Sequence, residues 1–134
     1  MKRLFFLMVF IGLCLACKKD NSYSYSSSLI GEWSWISTCG LAGTDCRTPA
    51  STHTSNNIVF TSDSHYYNYQ NDTLRISSIF HTYESGSEDG IIKYDYNSGN
   101  ADRFSLKHDT LTLANVYGFI TWVSQYKNIK HRKQ

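Results

Sequence analysis

The sequence predicts an all-β fold, a single antiparallel sheet of about eight strands forming a barrel or a sandwich. Short runs rich in Val, Ile, Thr and aromatic residues recur along the chain, and clusters of Asn, Asp, Ser and Gly separate them. No stretch shows the apolar period of an amphipathic helix. There is one proline, so little interrupts strand pairing, and closure into a barrel would remove the edges that a small sheet must otherwise protect.

The strands are read in order. "LIGEWSWIS" alternates, with Trp33 and Trp35 on one face and Glu32 and Ser34 on the other. "NIVF", the turn "TSDS" and "HYYNYQ" make a hairpin signature. "NDTLRISSIFHTYE" leaves an Asn-Asp turn and is long enough to bend across a barrel. "GIIKYDY" runs into the turn "NSGN". "RFSLKHDTLTL" reads as two strands about a tight turn, with Phe104, Leu106, Leu111 and Leu113 on one core face. "GFITWVSQYKNI" is the last run. The domain these strands define extends over residues 29–130, with a short basic tail at 131–134 that is read as solvated.

Gly31 and Trp33 in "LIGEWSW" resemble the Gly-x-Trp opening of lipocalins. The later pattern "IVFTSDSHYY … HDTLTL … VSQYKNI" is similar to small lipocalin-like lipoproteins of Gram-negative envelopes. The resemblance implies a lipocalin-like β-barrel with Trp33 packed at a closed end. A basic residue of the last strand, here Lys127, would cover that tryptophan, and Trp35 would lie nearer an open mouth.

Ahead of the domain, "LFFLMVFIGLCLACKKD" follows Lys2 and Arg3. Its apolar run, Leu4 to Ala16, is shorter than the roughly 20 residues a membrane-spanning helix needs. A positive start, a short apolar stretch and small residues near its end describe a signal peptide over residues 1–16. The end of the run resembles a bacterial lipobox, with Ala16 before the cut and Cys17 as the acylated residue. Cys14 stands where the usual lipobox has Leu. Residues 17–28, polar and serine-rich, then read as a flexible tether. This implies a lipid-anchored protein of the bacterial cell envelope, with the outer membrane favoured over the inner.

Loss of residues 1–16 from the 134 would leave 118, enough for one small domain. It would also remove Lys2 and Arg3 from the 13 basic residues, leaving 11 against 11 acidic ones. A near-neutral chain has no general attraction to nucleic acid, and none is expected as a partner.

Cys39 and Cys46 flank the loop "GLAGTD" directly after the first strand. In an exported protein they are expected to form a disulfide, worth roughly 2–3 kcal/mol by chain entropy for so short a loop. On the barrel reading this bridge stiffens the rim of the mouth. The pair lacks Cys-x-x-Cys spacing, and the five histidines are scattered with no helical ligand pair, so no metal or cofactor is expected. "ESGSEDG" carries Glu84, Glu88 and Asp89 without the spacing of a calcium loop. No nucleophile-elbow or phosphate-loop motif is present, and no enzymatic activity is expected.

Ten tyrosines remain as the best lead to function, including Tyr66, Tyr67, Tyr69, Tyr83, Tyr94 and Tyr96 on neighbouring strands. Trp35, Tyr67, Tyr69 and Tyr83 are the candidate ligand contacts, because a ring with a polar tip suits a small amphipathic ligand. Tyrosine is also simply a good residue for a half-buried strand. The hairpin turn decides the faces. A loop with an even number of residues pairs Phe60 with Tyr67, whereas a three-residue loop pairs it with Tyr66 and reverses both faces. Two functions follow as expectations. One is a lipid-anchored module binding a small apolar or amphipathic ligand in the barrel mouth. The other is an interaction or inhibitory lipoprotein with a filled barrel and a protein partner.

Overall fold

In a computed structural model of the chain, the described residues are 28–129 except 41, 85–87, 97, 98, 100 and 117–121. The signal-like run 1–16, Cys17, nearly all of the tether and the tail 131–134 therefore lie outside them. Eight strands run in order: β1 (Gly31–Gly40), β2 (Asn56–Phe60), β3 (His65–Gln70), β4 (Thr73–Glu84), β5 (Asp89–Tyr94), β6 (Ala101–Lys107), β7 (Thr110–Asn115) and β8 (Trp122–Asn128). Each pairs antiparallel with the next, and β1 also pairs with β8, so the sheet closes into a barrel. The fold class read from the sequence is the one observed.

Closure depends on β1 serving two partners. Its first residues, Gly31 to Ser34, pair with β2, while Trp33 to Gly40 pair with β8. A bulge between Trp35 and Ser37 puts Ile36 outside the register, where it is 40% exposed. One extra residue exchanges the faces of everything after it. Trp33 and Trp35 face inward before the bulge, and Thr38 joins that face after it, opposite Ser124. A second irregularity, between Asn68 and Tyr69, sets Arg75 outside the pairing of β3 with β4.

The core is the barrel's interior. Trp33, Ile58, Phe60, Phe80, Ile92, Phe104, Leu106 and Leu111 come from six different strands and are at most 5% exposed. Trp33 is buried as expected and pairs across β8 with Asn128. Its indole Nε1–H donates to the carbonyl of Leu29 at 2.9 Å, so the turn before β1 is stitched onto the core. Lys127 does not cover it. That residue is exposed on the opposite face of β8, and the Leu29 carbonyl takes the polar atom instead.

One helical turn interrupts the all-strand reading. α1 (Pro49–Thr52) lies between β1 and β2, with Thr48 as N-cap and Ser51 completing a capping box. The cue was present in "TPAST", a threonine cap followed by proline at the first helical position. β6 also starts earlier than read, at Ala101 rather than Arg103, which moves Asp102 from the turn onto the sheet.

Candidate functional site

The barrel has two unlike ends. At one, β1 begins, β8 finishes and the turns joining β2 to β3 and β6 to β7 are short. At the other lies the long connection from β1 to β2, carrying the two cysteines and α1, together with the β3–β4 turn. Here the main chain of Arg47 folds back onto β1, with N–H to carbonyl bonds between Thr38 and Arg47 of 2.9 and 2.8 Å in the two directions. Cys39 and Cys46 follow and precede that pair, their Cα atoms 4.1 Å apart, and they form the expected disulfide. The loop is thus fastened by a two-bond bridge and a covalent one at the same place.

Beneath the fastened loop is a cleft of about 350 Å³ lined by Trp35, Thr38, Arg47, Thr52, Thr54, Asn56 and Gln70. Its donors are tied into a chain. Trp35 Nε1–H donates to Thr38 Oγ1 at 2.9 Å, and the Thr38 and Ser124 hydroxyls are 2.7 Å apart. The Arg47 guanidinium lies over the Trp122 ring, 5.8 Å from its centroid, which holds a positive charge at the rim. The Oδ1 of Asn56 is buried with no hydrogen-bond partner among the described residues.

Deeper in the barrel the lining stays partly polar. The Tyr94 hydroxyl donates to Asp102 Oδ2 at 3.1 Å, and Asn68 Nδ2 donates to the Tyr66 hydroxyl at 3.3 Å. Tyr66 and Tyr94 pack with ring centroids 4.7 Å apart, and Phe60 lies 5.2 Å from Tyr66. Burial pushes the Tyr126 hydroxyl up to about 12, and the nearby Asp102 carboxylate adds to the effect. Tyr66 and Tyr94 are raised as well, again chiefly by burial, so all three stay protonated donors at any physiological pH. Burial also raises Asp102, against the lowering effect of hydrogen bonds from Tyr94 and Asn115. An acid raised in this way favours the folded state at low pH and loses that contribution as pH rises, so Asp102 is retained at a cost to neutral-pH stability.

The candidate contacts divide between the two faces of the sheet. Trp35 lies in the cleft. Tyr67, Tyr69 and Tyr83 do not line the interior, because the β2–β3 loop has three residues and pairs Phe60 with Tyr66. Tyr67 and Tyr69 therefore stand on the outer surface beside His65, and Tyr83 is 45% exposed with the Lys93 ammonium 4.8 Å above its ring. Among the described residues, the interior tyrosines are Tyr66, Tyr94 and Tyr126. Among the described residues, no group of three or more His, Cys, Asp or Glu side chains could hold a metal ion.

No protein-family model matches the chain, and no curated protein matches it. Two solved structures are similar in shape. One is a Schistosoma mansoni fatty acid binding protein in complex with arachidonic acid, at 11% identity and TM-score 0.52, covering 78% of this chain and 98% of that one. The other is Echinococcus granulosus fatty-acid-binding protein 1, also at 11% identity, with TM-score 0.49, covering 77% and 98%. The first likeness establishes a shared barrel fold, in agreement with the lipocalin-like architecture read from the sequence.

Proposed function

We propose that the chain is an exported, lipid-anchored binding module whose barrel mouth takes a small amphipathic ligand. The observation that carries this is Trp35, a core-face residue left only half-buried in a cleft of about 350 Å³ under a disulfide-fastened loop. Its indole offers an apolar surface, while Thr38, Asn56, Gln70 and the Arg47 guanidinium offer polar contacts around it. Arachidonic acid, named with the barrel neighbour, has this kind of chemistry, an apolar chain ending in one anionic group. The role proposed is binding and not catalysis.

The test uses the full chain carrying Cys17→Ser and a fluorescent amphipathic anion, anilinonaphthalenesulfonate, displaced by fatty acids of increasing length. Wild-type Trp35 should support saturable binding, and Trp35→Ala should weaken it by about tenfold or more with little loss of stability. Unchanged affinity in that variant would remove the mouth as the site. The filled-barrel reading, with a protein partner, has one observation in its favour, the close packing of Phe60, Tyr66, Phe80 and Tyr94 across the interior. Absence of binding by the wild type would favour it.

The address is tested separately. Cys17→Ser should abolish labelling by a radioactive fatty acid and shift the protein from the membrane fraction to the soluble periplasm or medium. Labelling that survives the substitution would place the acyl chain elsewhere.

A further inference from the structure

One charged group inside the barrel meets no opposite charge. Asp102 shares the inward face of β6 with Phe104, opposite the fully buried Ile92 of β5 and opposite Asn115 of β7. Asp102 itself is half-buried, and its neighbour Tyr94 packs 5.6 Å from Tyr96, a ring that is 48% exposed. The carboxylate thus lies where the interior begins to open to solvent, at the end that carries the mouth.

Its protein partners are neutral. The Tyr94 hydroxyl donates to Oδ2 at 3.1 Å, and Asn115 donates as well. A carboxylate accepts about four hydrogen bonds, so these two leave acceptor capacity and bring no positive charge. Among the described residues every lysine and arginine is exposed. The two half-buried histidines, His65 and His81, are engaged by Asp63 and Asp95 at 3.2 and 3.0 Å on the outer face. A charge taken out of water is ordinarily paired, metal-bound or neutralised by a proton. Among the described residues no group could hold a metal beside it.

We propose that Asp102 is the counter-ion for an ammonium group on the ligand of the barrel mouth, which makes that ligand an amphipathic amine. The inference rests on the mouth as the binding site and adds the charge of what enters it. Tyr126 ties the two together: it stands opposite Trp35 in the pairing of β1 with β8, and it feels the Asp102 charge. An apolar body against the Trp35 indole would therefore carry its cationic end inward. Arg47 stands at the rim, over Trp122, so an anionic group is met at the entrance and repelled further in. The walls near Asp102 are the tyrosines Tyr66, Tyr94 and Tyr126, electron-rich rings that favour a cation over an anion. An Asp102 that merely holds a proton would give no preference for a cationic ligand, so the two roles are separable.

The experiment titrates the full chain carrying Cys17→Ser, by calorimetry at neutral pH, with octylammonium, octanol and octanoate, three ligands of one chain length and different charge. Octylammonium should bind about tenfold or more tightly than octanol, and octanoate more weakly than either. Asp102→Asn keeps the shape and an acceptor for Tyr94; it should bring octylammonium to the affinity of octanol without lowering the melting temperature. Trp35→Ala should weaken all three. Octanoate binding at least as tightly as octylammonium would overturn the proposal and leave the mouth as the site. So would a preference for octylammonium that survives in Asp102→Asn. Failure of all three to bind the wild type would remove the mouth reading itself, and this inference with it.

Discussion

Trp33→Ala is expected to lower the unfolding free energy by about 3–5 kcal/mol, the range for deleting a large buried ring. Trp33 is 2% exposed and packs within a core that draws on nearly every strand. Its removal would leave a void at the point where β1 changes partners from β2 to β8. It would also orphan the Leu29 carbonyl that accepts from Nε1, and an unsatisfied buried acceptor adds a penalty of its own. Small domains have a margin of only about 5–15 kcal/mol, so the variant should be marginal at body temperature. Trp33→Phe separates the two contributions, because it keeps most of the volume and loses only the donor. Urea unfolding followed by far-ultraviolet circular dichroism measures both variants. A loss under about 1 kcal/mol for Trp33→Ala would mean that the strand junction does not depend on this ring.

Much of the barrel was legible because strands write a period of two into the sequence. Trp33 and Trp35 on one face, and Phe104, Leu106, Leu111 and Leu113 on another, are local patterns that need no knowledge of neighbours. The disulfide was legible for a similar reason, since two cysteines around a short loop after a strand have few other partners. What alternation left open was whatever a single residue of register decides. The three-residue β2–β3 loop turned Tyr66 inward and Tyr67 and Tyr69 outward, and no side-chain property distinguishes those tyrosines in advance. The bulge at Ile36 brought Thr38 to the interior, beyond the reach of strict alternation. Asp102 was hidden differently. A charged residue beside a turn reads as solvated, and only the start of β6 at Ala101 places it in the barrel beside Tyr94.

Gly90→Ala is the second large effect expected, and it turns on a position whose role no sequence pattern announces. Gly90 opens the inward face of β5 directly opposite Phe104 of β6, and it is buried. A Cβ at this point would stand 2.6 Å from Phe104 Cε1 and 2.7 Å from the Tyr83 carbonyl oxygen. Neither neighbour yields cheaply. Phe104 is fully buried, and the Tyr83 carbonyl belongs to β4 at the edge of its pairing with β5. The phenyl ring thus covers a glycine on the adjacent strand, an arrangement that restores to the glycine the packing it lacks. Adding one methyl should cost about 1–3 kcal/mol, the usual range for overpacking, and several degrees in melting temperature. The clash has a specific remedy, which makes the prediction sharper than a loss of stability alone. Phe104→Leu by itself should destabilise by removing ring contacts, but in the Gly90→Ala background it should cost less, because the shorter side chain leaves room for the methyl. A double-mutant cycle by calorimetry would then show a favourable coupling of about 0.5 kcal/mol or more between the two positions. Strictly additive losses would mean that the methyl is accommodated by movement of the β4 backbone, and that Phe104 is not what requires glycine at position 90.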